Sequence, residues 1–277
     1  MIAAEAEGIW SSQTVCCDTT TVRRIASMLD LPAVPWEARQ NIPRGWHFPF
    51  LAYDVRRGCL RSDGFPILCH ALNDPGFDRL RLLGRRVEIR ADITPDMTLQ
   101  RTQYIESLEK RDGRGGASIV VNLANRLCLP DRPAALVEEV QTYVIFRGCD
   151  ERPARPGSVV DGGSDRAKRI TPDSTMLFQY SALGFNTHRV HFDLDYAAST
   201  ERLPGLVVNG GLTTLLATEF LRSEFGARLT GITTRHFLPL YANRPLTLFV
   251  RETRAGFAVR CADDQGLLAM DGEWRTQ

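Results

Sequence analysis

The 277-residue chain predicts an α+β protein in which one plan, a helix followed by a four-stranded antiparallel meander, is laid down twice. Three features carry that expectation. Apolar and polar residues alternate in two groups of four runs, the mark of half-buried strands. A stretch with helical spacing precedes each group. A segment rich in Pro, Gly and charge, GCDERPARPGSVVDGGSDRAK at 148–168, separates the groups. The expected division is a first unit at 1–150, a linker at 151–168 and a second unit at 169–277.

In chain order, TTTVRRIASML at 19–29 places Val22, Ile25, Ala26 and Leu29 on one helical face, with Asp18 or Thr19 as cap. Residues 32–80 carry many Pro and Gly and read as irregular structure with short helices. Strands are expected at 84–94, 99–109, 117–128 and 136–147, the second and third joined by the turn RDGRGG. In the second half a polar-aromatic stretch covers 176–199 and a helix spans about 208–225. Strands follow at 227–238, 245–253, 256–263 and 266–275. The helix at 208–225 bears Leu212, Leu215, Leu216 and Phe220 among threonines, which suits a helix inside a sheet rather than on a surface.

Composition narrows the function. With 34 Lys+Arg against 33 Asp+Glu, the formal charge of +1 leaves no footprint for nucleic acid or an anionic membrane. Lysine occurs only at Lys110 and Lys168. A GC-rich genome accounts for that bias; recognition of phosphate or carboxylate by guanidinium forks is the functional alternative. Seven scattered cysteines without a CxxC pair point to reduced thiols rather than a zinc site or a disulfide framework. Neither a signal-like N-terminus nor an eighteen-residue apolar run is visible, so a cytoplasmic protein is expected.

The chemistry concentrates in FQYSALGFNTHRVHFDLDYAASTERLPGLVVNGGL at 178–212. Asn186, His188, Arg189, His191 and Asp193 crowd together there. Tyr196-Ala197 follows, and then Asn209-Gly210-Gly211 opens the buried helix. This pattern resembles the MaoC-like (R)-specific enoyl-CoA hydratases and dehydratases. They show Gly-Asp-x-Asn-Pro-(Ile/Leu/Val)-His-x-Asp-x-x-Tyr-Ala and then a His-Gly step into a central helix. His191 falls on the family's catalytic histidine, and Asp193 and Tyr196-Ala197 on the residues after it. Asn209-Gly210 falls on the His-Gly step. Asn186 stands where most members have the catalytic aspartate, and His188-Arg189 where they have Asn-Pro. The variant YSALGFNTHRVHFD is closer to a branch with mesaconyl-CoA and itaconyl-CoA hydratases and mitochondrial-type hydroxyacyl-thioester dehydratases. Trp46-His47 in IPRGWHFPF resembles that branch's N-terminal half. The resemblance implies a tandem hotdog fold, each unit a long central helix wrapped by antiparallel sheet, with the first unit degenerate and pocket-forming.

The implied reaction is hydration or dehydration of a short dicarboxylic or branched 2-enoyl-CoA, with the coenzyme A thioester as substrate and no cofactor or metal. His191 has an ordinary pKa suited to general acid–base work, which typically contributes about 10²–10⁴ in rate. Asn186 has no useful pKa, but its amide can orient water or donate to a substrate oxygen. His188 is the second candidate for the proton shuttle. Gly210 and Gly211 are the expected oxyanion donors, since N–H groups at a helix start are unpaired and approachable without a Cβ. Arg189, Trp46 and His47 are the expected substrate contacts, Arg189 for a substrate carboxylate.

Structural roles compete at each position. Arg189 suits a salt bridge, Trp46-His47 an aromatic plug, and Gly210-Gly211 a close helix–strand contact. Asp193 reads as a cap, Tyr196 as core, and His70 and His236 as structural. The competing functions are a 3-hydroxyacyl-thioester dehydratase of fatty-acid synthesis, a thioesterase and a non-catalytic acyl-CoA-binding module. A thioesterase usually needs a carboxylate near the helix start, and after Asn209-Gly210-Gly211-Leu212 no acid occurs until Glu219. Two fused units can complete one sheet as a monomer; a homodimer is the expected further association.

Overall fold

The computed structural model describes residues 9–32, 40–67, 76–113, 116–148, 158–163 and 165–277. The first unit holds β1 (Ile9–Cys16), α1 (Thr19–Met28), β2 (Arg79–Ile89), β3 (Thr98–Gly113), β4 (Gly116–Leu129) and β5 (Arg132–Phe146). The second holds β6 (Arg166–Ile170), α2 (Ser174–Leu183), α3 (Gly210–Phe225), β7 (Leu229–His236), β8 (Leu246–Thr253), β9 (Gly256–Ala262) and β10 (Leu268–Thr276). All ten strands join one antiparallel sheet in the order β1-β3-β4-β5-β2-β7-β10-β9-β8-β6. This is a tandem hotdog.

The two units meet where β2 pairs with β7, from Gly84 opposite Arg235 to Glu88 opposite Gly231. The register of β2 against β5 shifts at Leu82/Gly84. A Cβ on Gly84 would overlap the carbonyl oxygen of Thr234. The seam therefore needs glycine there, because only a residue without a side chain lets the strands approach that closely.

Helix α3 is the central rod of the second unit. Every residue from Gly211 to Leu221 is buried. Asn209 precedes it and Gly226 ends it in the left-handed conformation. Its buried polar groups are tied down: Trp274 Nε1 donates to Thr218 Oγ1 at 2.9 Å and Trp46 Nε1 to Glu219 Oε1 at 2.6 Å. In the first unit α1 has only 10 residues, capped by Asp18, whose Oδ1 accepts from Thr21 N at 2.8 Å. It buries Val22, Ile25, Ala26 and Met28. A separate apolar cluster of the first unit packs Phe65 and Phe77 with Ile105, Val121 and Ile145 of β3, β4 and β5.

The sequence expectations miss β1, α2 and β6. The expected linker at 151–168 overlaps β6, which begins at Arg166 and pairs with β8. Residues 151–157 and 164 of that stretch lie outside the described residues, as do Cys69, His70, Cys149 and the turn residues 114–115. Cys16, Cys17, Cys59, Cys128 and Cys261 are free thiols. Among the described residues no helix is long and apolar enough to cross a membrane.

Candidate active site

The chain leaves α2 at Gly184, turns at Phe185 with a positive φ of 46°, and enters the polar segment. The Asn186 amide N–H donates to Ser181 O at 2.8 Å, and Asn186 Oδ1 accepts from His188 N at 3.1 Å. That local turn engages the side-chain oxygen, so the Asn186 Nδ2 donor is the end of the amide left for a ligand. A loop of the first unit straps the segment down. Thr187 Oγ1 donates to Gly64 O at 2.7 Å and Arg189 N to Asp63 O at 2.8 Å. A short 3-10 turn, Arg189–His191, then presents the imidazole.

His191 Nδ1 lies 2.8 Å from the carbonyl oxygen of Val207. A carbonyl only accepts, so Nδ1 carries the hydrogen and Nε2 keeps its lone pair. Val207 is itself fixed, its N–H donating to Val190 O at 2.9 Å. His188 stands edge-on to His191 with ring centroids 5.3 Å apart. Among the described residues the buried His188 Nε2 has no hydrogen-bond partner.

Three residues beyond Val207 the helix begins. Its first ladder bond runs from Thr213 N to Asn209 O at 3.1 Å, so the N–H groups of Gly210 and Gly211 precede the ladder. Asn209 Nδ2 reaches Ser181 Oγ at 3.3 Å, while its Oδ1 is buried without a partner among the described residues. Asn186, His188, His191, Asn209, Gly210 and Gly211 all line one cavity of about 310 Å³. The structure thus brings together every expected catalytic and oxyanion residue.

Three expected substrate contacts are placed elsewhere. Trp46 and His47 are buried, Trp46 on Glu219 and His47 with Nε2 2.8 Å from Glu139 Oε2. Arg189 bonds Asp193 Oδ2 through Nε at 3.0 Å and Nη2 at 2.8 Å, and its guanidinium lies 4.1 Å from the Tyr196 ring centroid. None of the three lines the cavity. Asp193 also accepts from Tyr196 N at 2.9 Å, the capping role expected of it. Glu219 is held by Trp46 and Arg222 and does not reach the cavity.

The cavity also contains residues that the sequence reading passed over. His236, expected to be structural, stands in the wall beside Gly210; a Cβ there would lie 3.2 Å from His236 Cε1. Arg85, Tyr180 and Glu201 line it too. Glu201 is paired with Arg79 and accepts from the Tyr196 hydroxyl at 3.1 Å. Among the described residues no group of three or more His, Cys, Asp or Glu is placed to hold a metal ion.

A family model described as hydroxyacyl-thioester dehydratase type 2 matches residues 45–242, which spans both units. The chain belongs to this family. As a hydroxyacyl-thioester dehydratase-type protein it is an acyl-CoA hydro-lyase. It is 27% identical to the mesaconyl-C(4)-CoA hydratase of Chloroflexus aurantiacus over 227 residues, 82% of this chain and 80% of that protein. Among solved structures, HtdX of Mycobacterium tuberculosis superposes with a TM-score of 0.68 at 15% identity, covering 98% of this chain and all of that one. A MaoC-like dehydratase of Phytophthora capsici gives 0.68 at 13% identity, covering 96% and 95%. These two share the fold.

Burial sets the charge state of this dehydratase site. It lowers His191 to about 3, the neighbouring His188 lowering it further against the Val207 hydrogen bond. Burial and then Arg61 bring His188 down to about 3, and burial, Arg85 and Arg81 do the same to His236. All three are therefore neutral in the folded enzyme near pH 7. Below an ordinary histidine pKa of 6.5 the unfolded chain takes up protons that the folded chain refuses. Stability is then expected to fall as pH drops from 6.5 towards 3, by about 1.4 kcal/mol per pH unit for each such histidine. Thermal unfolding at pH 7 and pH 5 measures this, and an unchanged midpoint would contradict it.

Proposed function

We propose that the enzyme adds water to, or removes it from, the double bond of a short dicarboxylic or branched 2-enoyl-CoA of the itaconyl- or mesaconyl-CoA type. The observation that carries the reading is the sharing of one cavity by the His191 imidazole and the glycine-led start of α3. In hydration, His191 Nε2 takes a proton from water as its oxygen bonds the β-carbon. The thioester oxygen gains negative charge against the N–H groups of Gly210 and Gly211, where the helix end carries roughly half a positive charge. The imidazolium, disfavoured by burial, then returns its proton to the α-carbon. Water's oxygen and both hydrogens end in the product. Asn186 Nδ2 and His188 are available to hold the water or the substrate oxygen. The chemistry calls for no cofactor.

Two points support a small polar acyl group. The mesaconyl-C(4)-CoA hydratase relative matches along most of both chains. The cavity lining also carries a connected polar cluster. Tyr143 and Tyr53 hydroxyls donate to Gln141 Oε1 at 2.7 and 3.1 Å, Gln141 Nε2 donates to Glu139, and Arg85 stands beside them. A long alkyl chain, as in the fatty-acid-synthesis alternative, would bury those groups against hydrocarbon. The buried free thiols Cys17 and Cys261 suit the reducing cytoplasm proposed as its setting, and a homodimer is the proposed assembly.

The test is spectrophotometric hydration of mesaconyl-, itaconyl-, crotonyl- and long-chain enoyl-CoA by the purified protein. Turnover is expected with the C4–C5 substrates, the diacids preferred. Release of free thiol without hydration, or no turnover of any substrate, would refute the reading.

A further inference from the structure

We propose that Arg85 is the specificity-determining residue of this site, receiving the second carboxylate of a dicarboxylic acyl group; the proposal deepens the substrate reading above and rests on it. Arg85 lies on β2 opposite Gln141 of β5 and Thr234 of β7, so it reaches the cavity from the seam between the units. Its side chain is nine-tenths buried. Glu139 Oε1 forms an ion pair with Nη1 at 3.2 Å, and the Tyr180 hydroxyl accepts from the guanidinium. Among the described residues Nε has no partner.

The compensating carboxylate is heavily shared. Glu139 also meets His47 Nε2 at 2.8 Å and Gln141 Nε2 at 2.6 Å. Meanwhile Arg85 Nη2 lies against the start of α3, 2.9 Å from where a Cβ on Gly211 would stand. A guanidinium and the positive end of a helix dipole are thus buried side by side. Like charges so placed are unfavourable in a desolvated wall unless an anion joins them. The other cations of the wall do not meet this description. Arg79 is paired with Glu201 and Asp78, and Arg81 is exposed to solvent.

The anion that fits is a carboxylate. The thioester oxygen is uncharged in the ground state and has the helix N–H groups for its developing charge. A substrate carboxylate is charged throughout and matches the planar fork of a guanidinium in shape and hydrogen-bond direction. Arg85 therefore acts mainly on which acyl group is bound.

The experiment compares wild type, Arg85→Gln and the double variant Arg85→Gln/Glu139→Gln, which removes both buried charges and keeps the test alive if the single variant misfolds. The kcat/KM ratio of mesaconyl-CoA over crotonyl-CoA is expected to fall about 100-fold in either folded variant, the scale of losing one partner of a buried charge pair. Calorimetric titration with succinyl-CoA and butyryl-CoA should show the same loss of preference for the diacid. An unchanged ratio in both measurements, or wild type that prefers butyryl-CoA, would overturn the proposal. Wild type that binds succinyl-CoA preferentially yet hydrates nothing would sink the hydro-lyase reading and leave the carboxylate receptor standing.

Discussion

Replacing His191 by alanine is expected to lower kcat/KM for hydration by about 10²–10⁴, the range for a positioned acid–base group. The upper end is expected because in the proposed mechanism one imidazole carries out both proton transfers, taking a proton from water and giving it to the α-carbon. The Val207 carbonyl fixes the tautomer by accepting from Nδ1, so Nε2 alone faces the reaction. No carboxylate backs the histidine at position 186, where Asn186 cannot accept a proton at any relevant pH. His188 is neutral and stands close, but its ring meets His191 edge-on at 5.3 Å between centroids. The same variant carries a control in its stability. Deleting a buried neutral histidine removes one source of acid sensitivity, so His191→Ala should lose less stability between pH 7 and pH 5 than wild type does. Full activity in a folded His191→Ala protein would end the mechanism proposed here.

How much of this was legible in the sequence depended on whether spacing exposed a face. Helix α3 was visible because Leu212, Leu215, Leu216 and Phe220 recur at helical spacing on one apolar stripe, and the structure buries the helix from Gly211 to Leu221. Helix α2 was hidden for the opposite reason. STMLFQYSAL buries Leu177 and Tyr180 yet leaves Phe178 63% exposed, so its apolar residues mark no single face. The segment that carries Asn186, His188 and His191 stood out through its motif, but the first unit's contribution to the cavity did not. Arg85 sits two residues before the buried Val87 and four before Ile89, on the inward face of an alternating strand. Glu139 and Gln141 share the inward face with Val137 and Ile145 in the same way. The signal was a charge at an inward strand position, where arginine is seldom found. Trp46 and His47 were expected at the pocket from the resemblance of IPRGWHFPF, with an aromatic plug as the alternative, and spacing could not reveal their buried partners, Glu219 and Glu139, which lie 173 and 92 residues along the chain.

Gly211→Ala is expected to reduce kcat/KM by about 10²–10³ and to cost about 1–3 kcal/mol of stability, the scale of an overpacked core site. On propensity alone the substitution is favourable, alanine exceeding glycine in a helix by up to about 1 kcal/mol. Sterics oppose it. The new methyl would overlap the Tyr180 hydroxyl and lie 2.9 Å from Arg85 Nη2. Tyr180 cannot readily swing aside, since it is buried and stacked on Phe48 with centroids 4.4 Å apart at 15°. Arg85 is held by Glu139. The helix start must therefore yield, and it carries the N–H groups proposed to face the thioester oxygen. Losing one such donor typically lowers a rate by about 10²–10³, and a shift near 1 Å has a comparable effect. Gly210→Ala offers the contrast. Its methyl would meet Leu82 Cδ2 at 2.8 Å, the end of a flexible side chain, and His236 Cε1 at 3.2 Å. Leucine can rotate away, so the loss at 210 should be the smaller of the two. Steady-state kinetics on both variants decide the matter: equal activity of Gly211→Ala and wild type would show that the start of α3 does not hold the developing charge.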